Sequence, residues 1–169
     1  RCVRHRYFIA KARSRKHPEG YPARLAGMKR YGLLGHTLGH SFSQAYFTEK
    51  FKAAGLRDHR YDPFELPAIG SFPGLLSCTP GLCGLNVTIP YKQSVIPYLD
   101  AMDPLAAAVG AVNTIAMASG KLTGHNTDVH GFRTLLDPLL VGLQDPGSDL
   151  RPRALVLGTG GASRAVAYV

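Results

Sequence analysis

The chain has 169 residues, 45% of them hydrophobic, and a formal net charge of +9. That length holds one domain, or one domain and the start of another, and the composition excludes collagen-like and disordered classes. No apolar run approaches the roughly 18 residues of a membrane span, so a soluble protein is expected.

The positive charge is concentrated at one end. Residues 1–27 carry eight of the twenty Lys/Arg and one acid, Glu19, while the rest holds twelve bases against ten acids. A near-neutral body with a basic leader argues against a polyanion partner, and neither nucleic acid nor membrane is expected to bind. The leader lacks the ~7–15-residue apolar core of a signal peptide. Its Arg-rich, acid-poor composition is compatible with a transit peptide; the simpler reading is non-native or disordered sequence ahead of a natural start at Met28. Three cysteines, Cys2, Cys78 and Cys83, form no disulfide framework and fit a reducing cytoplasm.

In chain order, short apolar runs alternate with amphipathic stretches, the signature of an α/β layer fold. Residues 31–35 read as a first buried strand. A helix follows to about Ala54, capped by Ser43 or Ser41, with Ala45, Phe47, Phe51 and Ala54 on one face and Gly55 ending it. Residues 60–64 read as a second strand weakened by Pro63, and 66–77 as a poor helix. A third strand covers 85–89 and is stopped by Pro90. Helices are expected at 91–99 and 104–109, with Pro104 in the first turn. Strands at 112–117 and 122–125 are joined by a hairpin-like turn at Ser119-Gly120-Lys121, and a helix runs over 128–140. Residues 142–152 are rich in turn formers and read as a linker. Ala154-Leu155-Val156-Leu157 then resembles a central parallel strand, followed by a glycine-rich turn and a helix to Val169.

Three segments carry chemistry. Gly158, Thr159, Gly160, Gly161 and Ala162 make a strand-to-helix turn where a pyrophosphate can approach backbone amides at a helix N-terminus. Gly84-Leu85-Asn86-Val87-Thr88-Ile89-Pro90-Tyr91-Lys92 puts two polar side chains at the end of a buried strand and a lysine at the next helix start. His125-Asn126-Thr127-Asp128 puts an aspartate at a strand-to-helix junction. The plain alternatives are a capping threonine with a surface lysine, and an ordinary N-cap. In an α/β sheet, however, ligands collect beyond the carboxyl ends of strands, where Lys92 and Asp128 would both lie. His36 with His40, Cys78 with Cys83, and His125 with His130 lack the spacing or further ligands of a metal site, and none is expected.

With these segments in hand, the chain from Met28 to Val169 resembles the shikimate dehydrogenase family. Five segments carry the resemblance, in family order: Gly39-His40-Ser41-Phe42-Ser43, Gly84 to Lys92, Gly110-Ala111-Val112-Asn113-Thr114, Asn126-Thr127-Asp128, and Gly158-Thr159-Gly160-Gly161-Ala162-Ser163. The resemblance implies a mostly parallel sheet with helices on both faces over 28–150, then the first β-turn-α of a truncated, NADP-binding Rossmann domain over 151–169. It implies a cytoplasmic, NADP-linked enzyme of aromatic amino-acid biosynthesis, monomer or homodimer, that interconverts 3-dehydroshikimate and shikimate. Ser41 and Ser43, with Thr88 nearby, would hold the substrate carboxylate. Asn86, Asn113 and Asp128 would bond the ring hydroxyls, and Lys92 with Asp128 would be the catalytic pair. Hydride transfer to a ketone leaves an alkoxide-like oxygen that needs a proton donor, a task a lysine held by a carboxylate can perform. A quinate/shikimate paralogue and a non-catalytic shikimate-binding module share these motifs. A chain ending inside the cofactor domain is expected to be inactive alone.

Overall fold

The computed structural model describes residues 27–143 and 153–169. Among them the strands form one six-stranded sheet in the order β2-β1-β3-β5-β6-β4. Strands β1 (Lys29–Gly35), β2 (His59–Glu65) and β3 (Leu82–Val87) run parallel; β5 (Thr114–Ala118) is antiparallel to β3 and to β6 (Lys121–His125); β4 (Ala101–Met102) pairs parallel with β6. The sheet is therefore mostly parallel. The two residues that reverse the chain between β5 and β6, Ser119 and Gly120, both have positive φ, the geometry of a two-residue hairpin turn.

Side-chain alternation along the strands builds two separate apolar layers. On one face Leu34, Phe64, Leu85, Val87 and Ile115 pack against Phe72 of α2 (Phe72–Cys78), Tyr91 of α3 (Tyr91–Ser94) and Ala106 of α4 (Pro104–Val109). On the other, Tyr31, Leu33 and Tyr61 meet Phe47 and Phe51 of α1 (Ser43–Ala53). Helices thus cover both faces. A smaller cluster of Val109, Ala111, Val129 and Ala165 joins α4 to α5 (Asp128–Leu143) and α6 (Gly161–Tyr168). No described helix is long and apolar enough to cross a membrane.

Several expected boundaries move. Neither Ser41 nor Ser43 caps α1: Phe42 holds that position, and Ser41 Oγ accepts instead from the amide of Ser43. Ala45 and Ala54 are exposed, so Phe47 and Phe51 alone seat the helix. The expected helix over 66–77 begins as a 3-10 turn at Ile69–Ser71, and that over 91–99 divides into α3 and a 3-10 turn at Ile96–Tyr98. Strand β3 ends at Val87, which leaves Thr88 and Ile89 in the turn. Helix α5 runs three residues past its expected end despite Pro138. Residues 1–26 and 144–152, which hold nearly all of the leader and of the linker, lie outside the described residues.

One element differs in kind. Residues 154–157 form no strand, and Leu155 and Leu157 are 85% and 84% exposed. A central strand exists only through hydrogen bonds to neighbours on its edges, and no described strand lies beside this segment. The helix after it forms regardless, because its bonds are local and Ala165 packs on α4 and α5.

Candidate active site

Topology brings the candidate residues to one end of the sheet. Asn86 and Thr88 stand at the carboxyl end of β3, and Ser41 and Ser43 follow β1. Asp128 opens the helix after β6. Strand β5 runs the opposite way, so its leading residues Asn113 and Thr114 arrive at that same end, with Thr114 in register with both Asn86 and His125.

The side chains there form a continuous hydrogen-bonded chain. Tyr61 Oη donates to Asn86 Oδ1 (2.9 Å). Asn86 Nδ2 donates to Thr114 Oγ1 (3.4 Å), whose hydroxyl donates to Asn113 Oδ1 (3.1 Å). Asn113 Nδ2 then donates to Asp128 Oδ1 (2.7 Å) and to Thr127 Oγ1 (2.8 Å). Asp128 Oδ2 accepts from Lys92 Nζ at 2.6 Å. Asn86, Asn113, Asp128 and Lys92 are therefore linked, with Thr114 between Asn86 and Asn113 and Tyr61 at the far end.

The network is held from below. Buried Asn126 accepts the amides of Asp128 and Val129 through Oδ1, fixing the first turn of α5, and donates to the Ala111 carbonyl. Asn113 Oδ1 also accepts the amide of Thr127 (2.9 Å). Burial pushes the Tyr61 phenol up to about 12, with the nearby Ser43 hydroxyl opposing it. Its ring stacks on Phe47 at 4.4 Å.

The network does not take in every expected residue. Exposed Ser41 has its hydroxyl turned to the Ser43 amide, and Thr88 is tied by its backbone to Leu34 and Tyr91. Tyr61, Thr114 and Thr127 were not singled out from sequence. The two threonines adjoin residues that were, but Tyr61 sits on a different strand, and only the period-2 alternation of β2 hints that it faces α1.

The glycine-rich turn leads into α6 beside α3. Gly158 has φ of +112° and Gly160 is extended, with nothing within 4 Å of where its Cβ would stand. Gln93 Nε2 donates to the Thr159 carbonyl (3.5 Å). The first amides of a helix have no partner inside it, and Gly160 leaves open space on the approach to them. Thr159 and Ala162 are exposed on that approach. No described group of three His, Cys, Asp or Glu could hold a metal ion.

Residues 33–115 match the family model described as shikimate dehydrogenase substrate binding domain. The chain is 42% identical over 140 residues to the shikimate dehydrogenase (NADP(+)) of Halothermothrix orenii, spanning 82% of this chain and 46% of that protein. The solved shikimate dehydrogenase 1 of Peptoclostridium difficile superimposes with a TM-score of 0.71 at 35% identity, over 83% of this chain and 51% of that one. The Thermus thermophilus enzyme, solved with NADP(H) and shikimate, gives a TM-score of 0.68 at 37% identity, over 83% and 51%. The chain spans about half the length of the curated relatives it matches.

Proposed function

Because the chain belongs to the shikimate dehydrogenase family and carries its substrate-binding region, we propose that it supplies the substrate site of an NADP-dependent enzyme that interconverts 3-dehydroshikimate and shikimate. The observation that carries this reading is the 2.6 Å contact between Lys92 and Asp128, placed at the end of a polar chain that reaches Asn86 and Tyr61. Ser41 and Ser43 bind the substrate carboxylate, with Thr88 beside them. Asn86, Asn113 and Asp128 bond the ring hydroxyls. A polyol gripped at several points is held in one orientation, which lowers the entropic cost of reaching the transition state.

Lys92 moves the proton. In the reducing direction its ammonium donates to the oxygen of the substrate ketone as that oxygen gains charge; in the reverse direction the neutral amine accepts the hydroxyl proton. Asp128 holds the amine in place and offsets its charge. The amides at the start of α6 suit a pyrophosphate, and Gly158, Thr159, Gly160, Gly161 and Ala162 are the residues assigned to NADP. The dinucleotide, when bound, supplies or takes up the hydride. Residues 28–150 form the substrate domain and 151 onward open the cofactor domain. The protein acts in the cytoplasm on a small molecule, as a monomer or homodimer, without nucleic-acid or membrane partners.

The test is shikimate-dependent NADP⁺ reduction by the complete reading frame from Met28, with quinate and the 169-residue chain as controls. Turnover by the complete frame, cut by Lys92→Ala roughly 10²–10⁴-fold in kcat with KM far less affected, supports the assignment. Near-full turnover of the Lys92→Ala enzyme would remove Lys92 from the chemistry.

A further inference from the structure

We propose that Gly161 positions Lys92, so that the first residue of α6 sets the geometry of the amine as well as lining the glycine-rich turn. This rests on the assignment of Lys92 as the proton carrier.

The two adjacent glycines of the turn stand in opposite surroundings. A Cβ on Gly160 would meet nothing within 4 Å, whereas one on Gly161 would lie 2.6 Å from Lys92 Cβ, 3.2 Å from Lys92 Cδ and 3.3 Å from Ala111 Cβ. Gly160 leaves room for a ligand; Gly161 leaves room for the stem of the lysine. The first of these contacts is at the root of the side chain, where rotation about its outer bonds brings no relief.

Retreat is costly on either side. The carbonyl of Lys92 accepts the amide of Val112 at 2.7 Å, which pins α3 to the entry of β5. Ala111 is fully buried. One turn into α6, Ala165 is also fully buried, against α4 and α5, so the helix cannot lift without opening that cluster. The Lys92 stem thus lies against the bare Cα of Gly161, which also faces Ala111, and its amine arrives at Asp128. A methyl group at 161 shifts the stem and takes the amine off the carboxylate. A displacement of about 1 Å at a reacting group lowers turnover by roughly 10²-fold.

Gly161→Ala and Gly160→Ala, each in the complete frame from Met28, separate this role from phosphate binding. Site-resolved acylation of Lys92 by N-hydroxysuccinimidyl acetate, followed by peptide mass spectrometry, reads the freedom of the amine without any need for turnover. Gly161→Ala is expected to label several-fold faster than wild type and to lose kcat by about 10²-fold, with a smaller change in shikimate KM. Gly160→Ala is expected to label like wild type and to act on the KM for NADP. Equal labelling of wild type and Gly161→Ala overturns the proposal, as does a Gly160→Ala enzyme that labels as fast as Gly161→Ala. If Gly161→Ala does not fold, Lys92→Gly removes the clashing stem: the double variant Lys92→Gly/Gly161→Ala recovers a cooperative melt if the contact is with Lys92, and stays unfolded if it is not. Absence of shikimate turnover in the wild-type frame would defeat the functional reading alone, because labelling and melts do not depend on it.

Discussion

Tyr61 reaches Asn86 across an intervening strand. Tyr61 lies on β2 and Asn86 on β3, with β1 between them, and the phenol spans that gap to donate at 2.9 Å. Two strand spacings are roughly 10 Å, a distance few side chains can bridge. The stack on Phe47 holds the ring over the sheet, with its hydroxyl on Asn86, one of the proposed contacts to the substrate ring hydroxyls.

Tyr61→Phe keeps the ring and removes that link. Asn86 Oδ1 loses a partner, and Asn86 is left held through its longer contact to Thr114. One such bond is worth about 1 kcal/mol, or roughly a fivefold change in an equilibrium. In the complete frame, the KM for shikimate is expected to rise by about that factor while kcat changes little. Steady-state kinetics with shikimate as the varied substrate checks it; an unchanged KM would mean that Asn86 needs no support from β2.

The same phenol makes the fold sensitive to alkali. Burial raises the folded value of Tyr61 to about 12, above its ordinary value of 10.0. Below pH 10 both states carry the proton and stability is fully present. Above it the unfolded chain ionises first, so stability falls as pH rises toward 12, by about 2 kcal/mol at the upper end. Tyr31, raised by its own burial and by Cys83 and Asp58, acts in the same direction. Urea melts between pH 8 and 11.5 should show this loss, with a shallower slope in Tyr61→Phe.

Most of the sheet and half of the site were legible because their signals are local. Apolar runs ended by Gly or Pro located β1 and β3, and Pro104 marked the start of α4 at its observed residue. Lys92 and Asp128 sit at junctions where strands end and helices begin, which the chain order alone reveals. Tyr61 was not legible because its role depends on the parallel register of three strands, Tyr31 with Tyr61 and Leu33 with Asn86. Strand β4 has two residues, too few to carry a period. The 154–157 segment has every sequence feature of a buried strand, but hydrophobicity does not supply the edge partners that a strand requires.

Asn113 is the hub of the polar chain, and its replacement should disturb stability as well as turnover. It is buried, and its amide makes four contacts: two donated to Thr127 Oγ1 and Asp128 Oδ1, two accepted from the Thr127 amide and the Thr114 hydroxyl. Asn113→Ala strands the Thr127 amide and frees Asp128 on one side. A loss of about 1–3 kcal/mol is expected in a urea melt. In the complete frame kcat should fall as well, because an Asp128 carboxylate that has lost the Asn113 bond no longer fixes the position of the Lys92 amine.

Asp103 offers a separation of a helix cap from a histidine contact. Its Oδ1 accepts the amide of Ala106 at 2.7 Å, capping α4, while Oδ2 accepts from His125 Nδ1 at 2.6 Å. Helix α4 carries Ala106 and Val109 into two different clusters, so its first turn supports both. Asp103→Ala removes the cap and should cost about 1 kcal/mol. Asp103→Asn keeps an oxygen for Ala106, since asparagine caps about as well as aspartate, and turns its amide toward the His125 ring. The asparagine variant should therefore retain most of the stability that alanine loses, which chemical melts of the two variants at neutral pH would measure. Equal losses in both would show that the His125 contact, and not the cap, holds the start of α4.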